Sequence, residues 1–225
     1  MAPSVRIIKR AIDLLVAFAG LAVTLPLYPI IIALIYLDSP GPPFDRGHRI
    51  GHFMNKGHGP GQAVAEFHLL RFRTIRGQRE ADAAPRVTRV GRLLRRTRLD
   101  ALPYLLAVLQ GHLSLVGPRP RRPELIERLA AEIPSFTERL CGVKPGMTGL
   151  AQVSVSRTAH AHANSSAIRR FKPDGTQDAP IDEMEFEMHH DFAYAECLGD
   201  LSSYLPTELA VLVRAMRLMG RARSD

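Results

Sequence analysis

The chain has 225 residues, 46% of them hydrophobic, and carries 30 Lys and Arg against 22 Asp and Glu for a formal net charge of +8. That length suits one substantial domain or a small domain with an attached element, and two full domains are excluded. Two distant cysteines, Cys141 and Cys197, suggest neither a disulfide framework nor a zinc site, while the absence of Trp argues against base stacking on nucleic acid.

The first element is apolar. From Ala11 to Leu37 the chain is broken only by Asp13, Thr24, Pro26 and Pro29, and Arg6, Lys9 and Arg10 precede it. The run exceeds the roughly 20 residues that cross a bilayer at a helical rise of about 1.5 Å. Pro26 and Pro29 each lack an N–H and crowd the preceding turn, so the helix is predicted to break near Leu25 to Tyr28. Three readings compete: a signal peptide, a straight transmembrane helix, and a helix that breaks, re-enters and leaves both ends on one side. The signal peptide fails on length and on the lack of a small-x-small cleavage site. The Arg-rich segment that follows favours re-entry, since positive charge stays inside. Thr24 is placed to satisfy one backbone group freed at the break.

After Ser39-Pro40-Gly41-Pro42-Pro43 the chain turns polar. Gly47 to Gly61 reads as loop or short hairpin and Phe67 to Ile75 as a strand. Leu102, Leu105, Leu106 and Leu109 form a helical stripe over Leu99 to Leu109, with Asp100 in its first turn. Glu124 to Leu140 has a similar stripe interrupted by Pro134, and Ser202 to Leu218 is a further amphipathic helix. Residues 158–183, with the turn Lys172-Pro173-Asp174-Gly175, are predicted to be a mobile loop.

Between Arg86 and Arg122 lie nine arginines, at 86, 89, 92, 95, 96, 98, 119, 121 and 122, against one carboxylate, Asp100. Nearby positive charge is expected to hold that carboxyl ionised. Asp100 also reads as a helix N-cap. The arginines fit a solvated or nucleic-acid-binding face, or equally a diphosphate, whose oxygens match guanidinium forks in pairs. Gly117-Pro118-Arg119-Pro120 favours the ligand, because flanking prolines hold Arg119 in a fixed direction. Lys144-Pro145-Gly146-Met147-Thr148-Gly149 is a rigid turn with a cation at its entrance and small residues that would admit a ligand close to the backbone.

In order along the chain, Lys9-Arg10-Ala11-Ile12-Asp13, Ser39-Pro40-Gly41-Pro42, Arg49-Ile50-Gly51, Arg71-Phe72-Arg73-Thr74, Val87-Thr88-Arg89-Val90-Gly91-Arg92-Leu93-Leu94-Arg95, Leu99-Asp100-Ala101-Leu102-Pro103, Ser114-Leu115-Val116-Gly117-Pro118-Arg119-Pro120 and Lys144 to Val153 resemble the short, monotopic bacterial sugar transferases, or phosphoglycosyl transferases. The resemblance implies an α+β, mostly helical fold. Residues 1–38 would be a proline-broken re-entrant membrane helix, and residues 39–225 a small cytosolic catalytic domain with amphipathic interfacial helices. It further implies a location on the cytoplasmic face of the bacterial inner membrane. The implied reaction moves a sugar-1-phosphate from a UDP-sugar to polyprenyl (undecaprenyl) phosphate, at the start of exopolysaccharide or glycoconjugate synthesis.

On this resemblance Asp100 matches the nucleophile that forms an aspartyl intermediate and a ligand of Mg²⁺. Arg71, Arg95, Arg119 and Arg157 match phosphate-binding positions, and Asp191 and Lys144 match supporting ones. Nucleic acid is not an implied partner, and homo-oligomerisation is left open. The chain departs from the pattern at Ala101, where the family has Glu beside the nucleophile, at Gly47, where it usually has Gln, and by an insertion between Arg157 and Asp191. The departure at Ala101 leaves two alternatives. The magnesium is held by Asp100, substrate phosphates and further carboxylates such as Asp191 or the Asp182 to Glu187 cluster, or the chain is a non-catalytic relative acting as a binding or assembly partner in a polysaccharide pathway.

Overall fold

The computed structural model describes residues 1–53, 64–76, 86–133, 136, 142–158 and 181–221. The apolar segment forms two helices, α1 (Pro3–Thr24) and α2 (Leu27–Asp38), whose axes bend by 60° at the break. Pro26, without an N–H, sits at the N-cap of α2, and Thr24 Oγ1 donates to Gly20 O at 2.7 Å in the last turn of α1. The predicted break is found; Thr24 bonds a carbonyl of its own helix rather than one freed by Pro26. No single helix is long and apolar enough to cross a membrane among the described residues, but the bent pair together has the length and composition of a broken span or re-entrant loop.

Both arms of the bend rest on the same body. On α1 the buried residues Val5, Lys9, Asp13 and Ala17 fall four apart, one stripe of a 3.6-residue helix. On α2, Ile31 and Ile35 join Phe72, Leu94 and Leu102 in a small core. The other faces are apolar and bare: Phe18 is 69% exposed, Val23 78% and Leu37 85%. A bond from Ala2 N to Leu198 O (3.1 Å) ties the start of α1 to the rest of the chain.

Next comes an antiparallel hairpin of β1 (Phe44–Phe53) and β2 (Val64–Phe72), with Phe44 opposite Phe72 and Asp45 opposite Arg71. The residues Gly47 to Phe53, read with the stretch up to Gly61 as loop or short hairpin, are therefore the first strand of a hairpin, whose partner strand lies after that stretch. The pairing with β2 overrides their weak local preference. Residues 54–63, the rest of that reading, lie outside the described residues. A short ladder of β3 (Ile75–Arg76) and β4 (Arg86–Val87) leads into α3 (Arg89–Thr97). Thr88 Oγ1 caps α3 by accepting from Gly91 N at 2.9 Å, and Asp38 Oδ2, at the end of α2, accepts from Val90 N at 2.8 Å. A Cβ on Gly91 would strike Thr74 O, so glycine is what lets α3 lie on the segment after β2.

A 3₁₀ turn (Leu99–Ala101) and α4 (Tyr104–Gln110) occupy the stripe predicted over Leu99 to Leu109. Then β5 (Ser114–Val116) pairs in parallel with β6 (Gly146–Thr148). Between them α5 (Pro123–Glu132) ends before Pro134, as a proline demands of the residues ahead of it. Helices α6 (Leu150–Thr158), α7 (Ile181–Cys197) and α8 (Leu201–Arg221) complete the described chain. Residues 159–180 of the expected loop are not described, and α7 begins at Ile181. The largest core gathers Val5 and Ala17 of α1, Leu105 and Val108 of α4, Leu115 of β5, Tyr194 of α7 and Val211 of α8. The architecture is α+β and mostly helical, as expected.

Candidate active site around Asp100

Asp100 sits in the 3₁₀ turn between α3 and α4. Arg98 ends α3 in the left-handed region (φ 59°), the one non-glycine residue with positive φ among the described residues. That bend closes α3 and starts the turn, so Leu99 faces a core while Asp100 comes up beside the arginines. Asp100 is not the cap its position suggested: neither the 3₁₀ turn nor α4 has a side-chain cap. Instead Asp100 Oδ1 is buried and has no hydrogen-bond partner among the described residues.

Burial raises the Asp100 carboxyl above the ordinary carboxylate value, against the opposing pull of Arg98, Arg71 and Arg95. The surrounding arginines were expected to hold it low, and they do act in that sense. Desolvation outweighs them, because a buried carboxylate loses more from water than guanidinium groups at this range return.

Each neighbour is fixed by a separate element. Arg71, on β2, donates from Nε to Asp45 Oδ2 at 2.7 Å, its partner across the hairpin. Arg95, in the last turn of α3, donates from Nε to Thr74 Oγ1 at 2.8 Å, which leaves its two terminal nitrogens for a ligand. Burial lowers the Arg95 guanidinium pKa, Arg71 lowers it further, and Asp100 and Asp45 raise it. Tyr104, one turn after Asp100, is raised first by burial and also feels Arg71, Asp100, Arg49 and Arg119. Arg119, exposed after β5, thus joins the cluster through Tyr104 and Arg98.

Lys144, Asp191 and Arg157 stand on other segments. Lys144 Nζ donates to Gly111 O at 2.9 Å, closing the C-terminal end of α4, and the charges it feels are Arg10 and Asp13. Its neighbour Gly146 is small because backbone crosses there: a Cβ would meet Gly117 N, and one on Gly117 would meet Lys144 O. The glycines of both turns serve this close crossing of β5 and β6. Asp191 is buried in α7, one turn after Glu187, which forms a buried ion pair with Arg121. Arg157 belongs to α6, but its side chain lies outside the described residues, as does that of Asp182.

Sequence reasoning missed Tyr104 as a neighbour of Asp100, Asp45 and Thr74 as the groups that hold Arg71 and Arg95, Arg49 beside Tyr104, and Arg98 as the residue that turns the chain. Only the last had a local signal, an arginine just ahead of the carboxylate. As to a metal, Asp100 Oδ1 fits Mg²⁺, a hard cation that accepts one or two carboxylates and fills its remaining positions with phosphate and water. Among the described residues no group of three or more His, Cys, Asp or Glu could hold a metal ion alone, so substrate phosphates would have to complete the set.

The sequence pattern of a family described as bacterial sugar transferase matches residues 4–196. A Bacillus subtilis protein, whose name provisionally makes it an undecaprenyl-phosphate N-acetylgalactosaminyl 1-phosphate transferase, is 41% identical over 140 residues, covering 59% of this chain and 73% of that protein. The UDP-N-acetylgalactosamine-undecaprenyl-phosphate N-acetylgalactosaminephosphotransferase of Aeromonas hydrophila is 32% identical over 199 residues, 85% of this chain and 40% of that one. The UDP-glucose:undecaprenyl-phosphate glucose-1-phosphate transferase of Caulobacter vibrioides is 39% identical over 152 residues, 64% and 53%. The last two relatives are thus matched over about half their length or less.

Proposed function

Because the chain belongs to the bacterial sugar transferase family, we propose that it is a phosphoglycosyl transferase that moves a sugar-1-phosphate from a UDP-sugar to undecaprenyl phosphate. One observation carries the mechanism: a buried carboxylate oxygen without a hydrogen-bond partner among the described residues, beside Arg98, Arg71 and Arg95.

An Asp100 oxygen attacks the sugar-proximal phosphorus of the UDP-sugar. A new P–O bond forms to the carboxylate, the bond to the other phosphate breaks, and UMP departs with the electron pair. A phosphate oxygen of undecaprenyl phosphate then attacks the same phosphorus and releases the carboxylate. Two anions repel, so splitting the transfer in this way requires cations around the phosphoryl oxygens in each half. Arg71 and Arg95 supply them from rigid strand and helix positions, and Arg119 approaches from the Tyr104 side. Magnesium, when bound at Asp100, would neutralise charge on the diphosphate.

The carrier is a lipid, and the fold supports a site at its headgroup. Both arms of the bent pair dock on one body, the start of α1 bonds to Leu198 O, and the bare apolar faces form its exterior. That arrangement favours a re-entrant helix with the catalytic domain on the cytoplasmic face of the inner membrane, since a straight span would part its ends by about 30 Å.

The test is UMP release by the purified chain with Mg²⁺ and a panel of UDP-glucose, UDP-N-acetylglucosamine and UDP-N-acetylgalactosamine, with and without undecaprenyl phosphate. Release from at least one sugar, abolished by Asp100→Asn, is expected. Ala101 favours the second reading, a non-catalytic relative. Silence of the natural chain with all sugars, combined with release by Ala101→Glu, would establish it in place of the first.

A further inference from the structure

The strand that leads into Arg119 is held by residues far from Asp100. Lys9 and Asp13, one turn apart on the buried stripe of α1, hold three consecutive residues of β5: Asp13 Oδ2 accepts from Ser114 Oγ (2.8 Å), Asp13 Oδ1 from Leu115 N (2.9 Å), and Lys9 Nζ donates to Val116 O (3.1 Å). Tyr194 Oη of α7 lies 3.2 Å from the same carbonyl oxygen and gives its one proton to the shorter bond, with Glu208. Lys9 and Tyr194 thus meet on one carboxylate. Lys9 Nζ meets Glu208 Oε1 at 2.8 Å, and Tyr194 Oη meets Glu208 Oε2 at 2.7 Å.

The result is a ring of four groups, all deeply buried, in which Glu208 of α8 balances the Lys9 charge. The ammonium also lies 5.5 Å and 5.7 Å from the ring centres of Tyr194 and Tyr204. Glu208 and Tyr204 lie beyond residue 196, where the family pattern stops. From Val116 the chain runs through Gly117 and Pro118, both pinned to the β6 region by Gly117 N to Thr148 O (2.9 Å) and Gly146 N to Pro118 O (2.8 Å), to Arg119. The backbone between the ring and Arg119 is therefore bonded at each residue from Val116 to Pro118.

We infer that Glu208, held by Tyr194 and acting through Lys9 on the Val116 carbonyl, is a positioning residue for Arg119, so that α8 is a working part of the phosphate site. The inference rests on the reading of Arg119 as a phosphate-binding residue. A buried network whose every member is satisfied confines its groups to one arrangement, and small misplacements of a group that binds a reacting phosphate are expensive in rate.

A double-mutant cycle on the full chain tests it, with UMP release as the assay and thermal unfolding as the control. Tyr194→Phe removes one hydroxyl and leaves the Lys9 and Glu208 ion pair in place. It is expected to lower kcat/KM about fivefold with an unchanged Tm in the natural background. The loss should fall below about twofold when Arg119→Lys is already present, and stay near fivefold when Arg71→Lys is present instead, since coupled residues fail to add and independent ones add. Glu208→Gln should repeat the pattern if it folds, and Glu196→Gln, on the exposed side of α7, should change nothing. Equal losses in the Arg119→Lys and Arg71→Lys backgrounds, or a loss that tracks Tm, overturn the positioning role while leaving the proposed reaction intact. A natural chain that releases no UMP from any sugar overturns both.

Discussion

Asp100 trades solvation for reactivity: its carboxyl is buried enough to sit above the usual carboxylate range, and one of its oxygens has no hydrogen-bond partner among the described residues. The proposed attack needs the ionised form, so the acid limb of the UMP-release profile should lie above that of an ordinary aspartate, about 3.9. Arg98 gives the largest opposing pull. Arg98→Ala should therefore move the limb to higher pH, and an unmoved or lowered limb would count against this assignment. Stability has a matching sign. A carboxyl raised in the folded state is favoured there when neutral, so its contribution is present below the unfolded pKa and lost as pH rises above it. Asp100→Asn should gain Tm over the natural chain on going from pH 3 to pH 7, as differential scanning calorimetry would register, while losing UMP release. Asp100 and its arginines could be picked out from the sequence because nine guanidinium groups around one carboxylate is a rare composition. The direction of the pKa shift could not, since desolvation depends on what packs above the group.

At the level of elements, the site depends on α3 lying against Thr74. Gly91 permits the approach, and Arg95 Nε completes it on Thr74 Oγ1. Gly91→Ala forces a backbone shift, with an expected cost of about 1–3 kcal/mol by chemical denaturation and a larger fractional loss of activity than of stability, because Arg95 moves with the helix. The buried Arg121 and Glu187 pair is a second joint, between the segment after Arg119 and α7. Arg121→Met removes the cation of a buried ion pair, and a loss of about 3–5 kcal/mol is expected. The helices were readable because their apolar periodicity is local, and the break at Pro26 because proline acts on its own turn. Strand β1 was not, since Gly47 and His48 have poor strand preference and are held by partners some twenty residues later, His68 among them. The Lys144 turn was ambiguous for a similar reason: small residues suit a ligand and a backbone crossing equally well, and Gly117 shows that the crossing is present.

For the whole molecule, the question is how an apolar hairpin and a charged domain share one chain. Both arms of the α1 and α2 pair are docked, and the Ala2 to Leu198 bond puts the first residues beside the start of α8. With cysteines introduced at Ser4 and Ser203 in an otherwise cysteine-free chain, a membrane-impermeant reagent applied to intact cells should label neither, and both should react after lysis. Labelling of Ser203→Cys alone from outside would show a straight span. Local sequence by itself determined the apolar segment, its break, the principal helices and the pairing of an acidic residue with an arginine-rich surround, because each is written within a few turns of chain. Only tertiary structure decided that Asp13 and Lys9 serve β5, that Glu208 binds Lys9 beside Val116, and that Asp45 holds Arg71. These contacts join residues 26 to 199 positions apart, and burial, which sets their strength, exists only once the helices have packed.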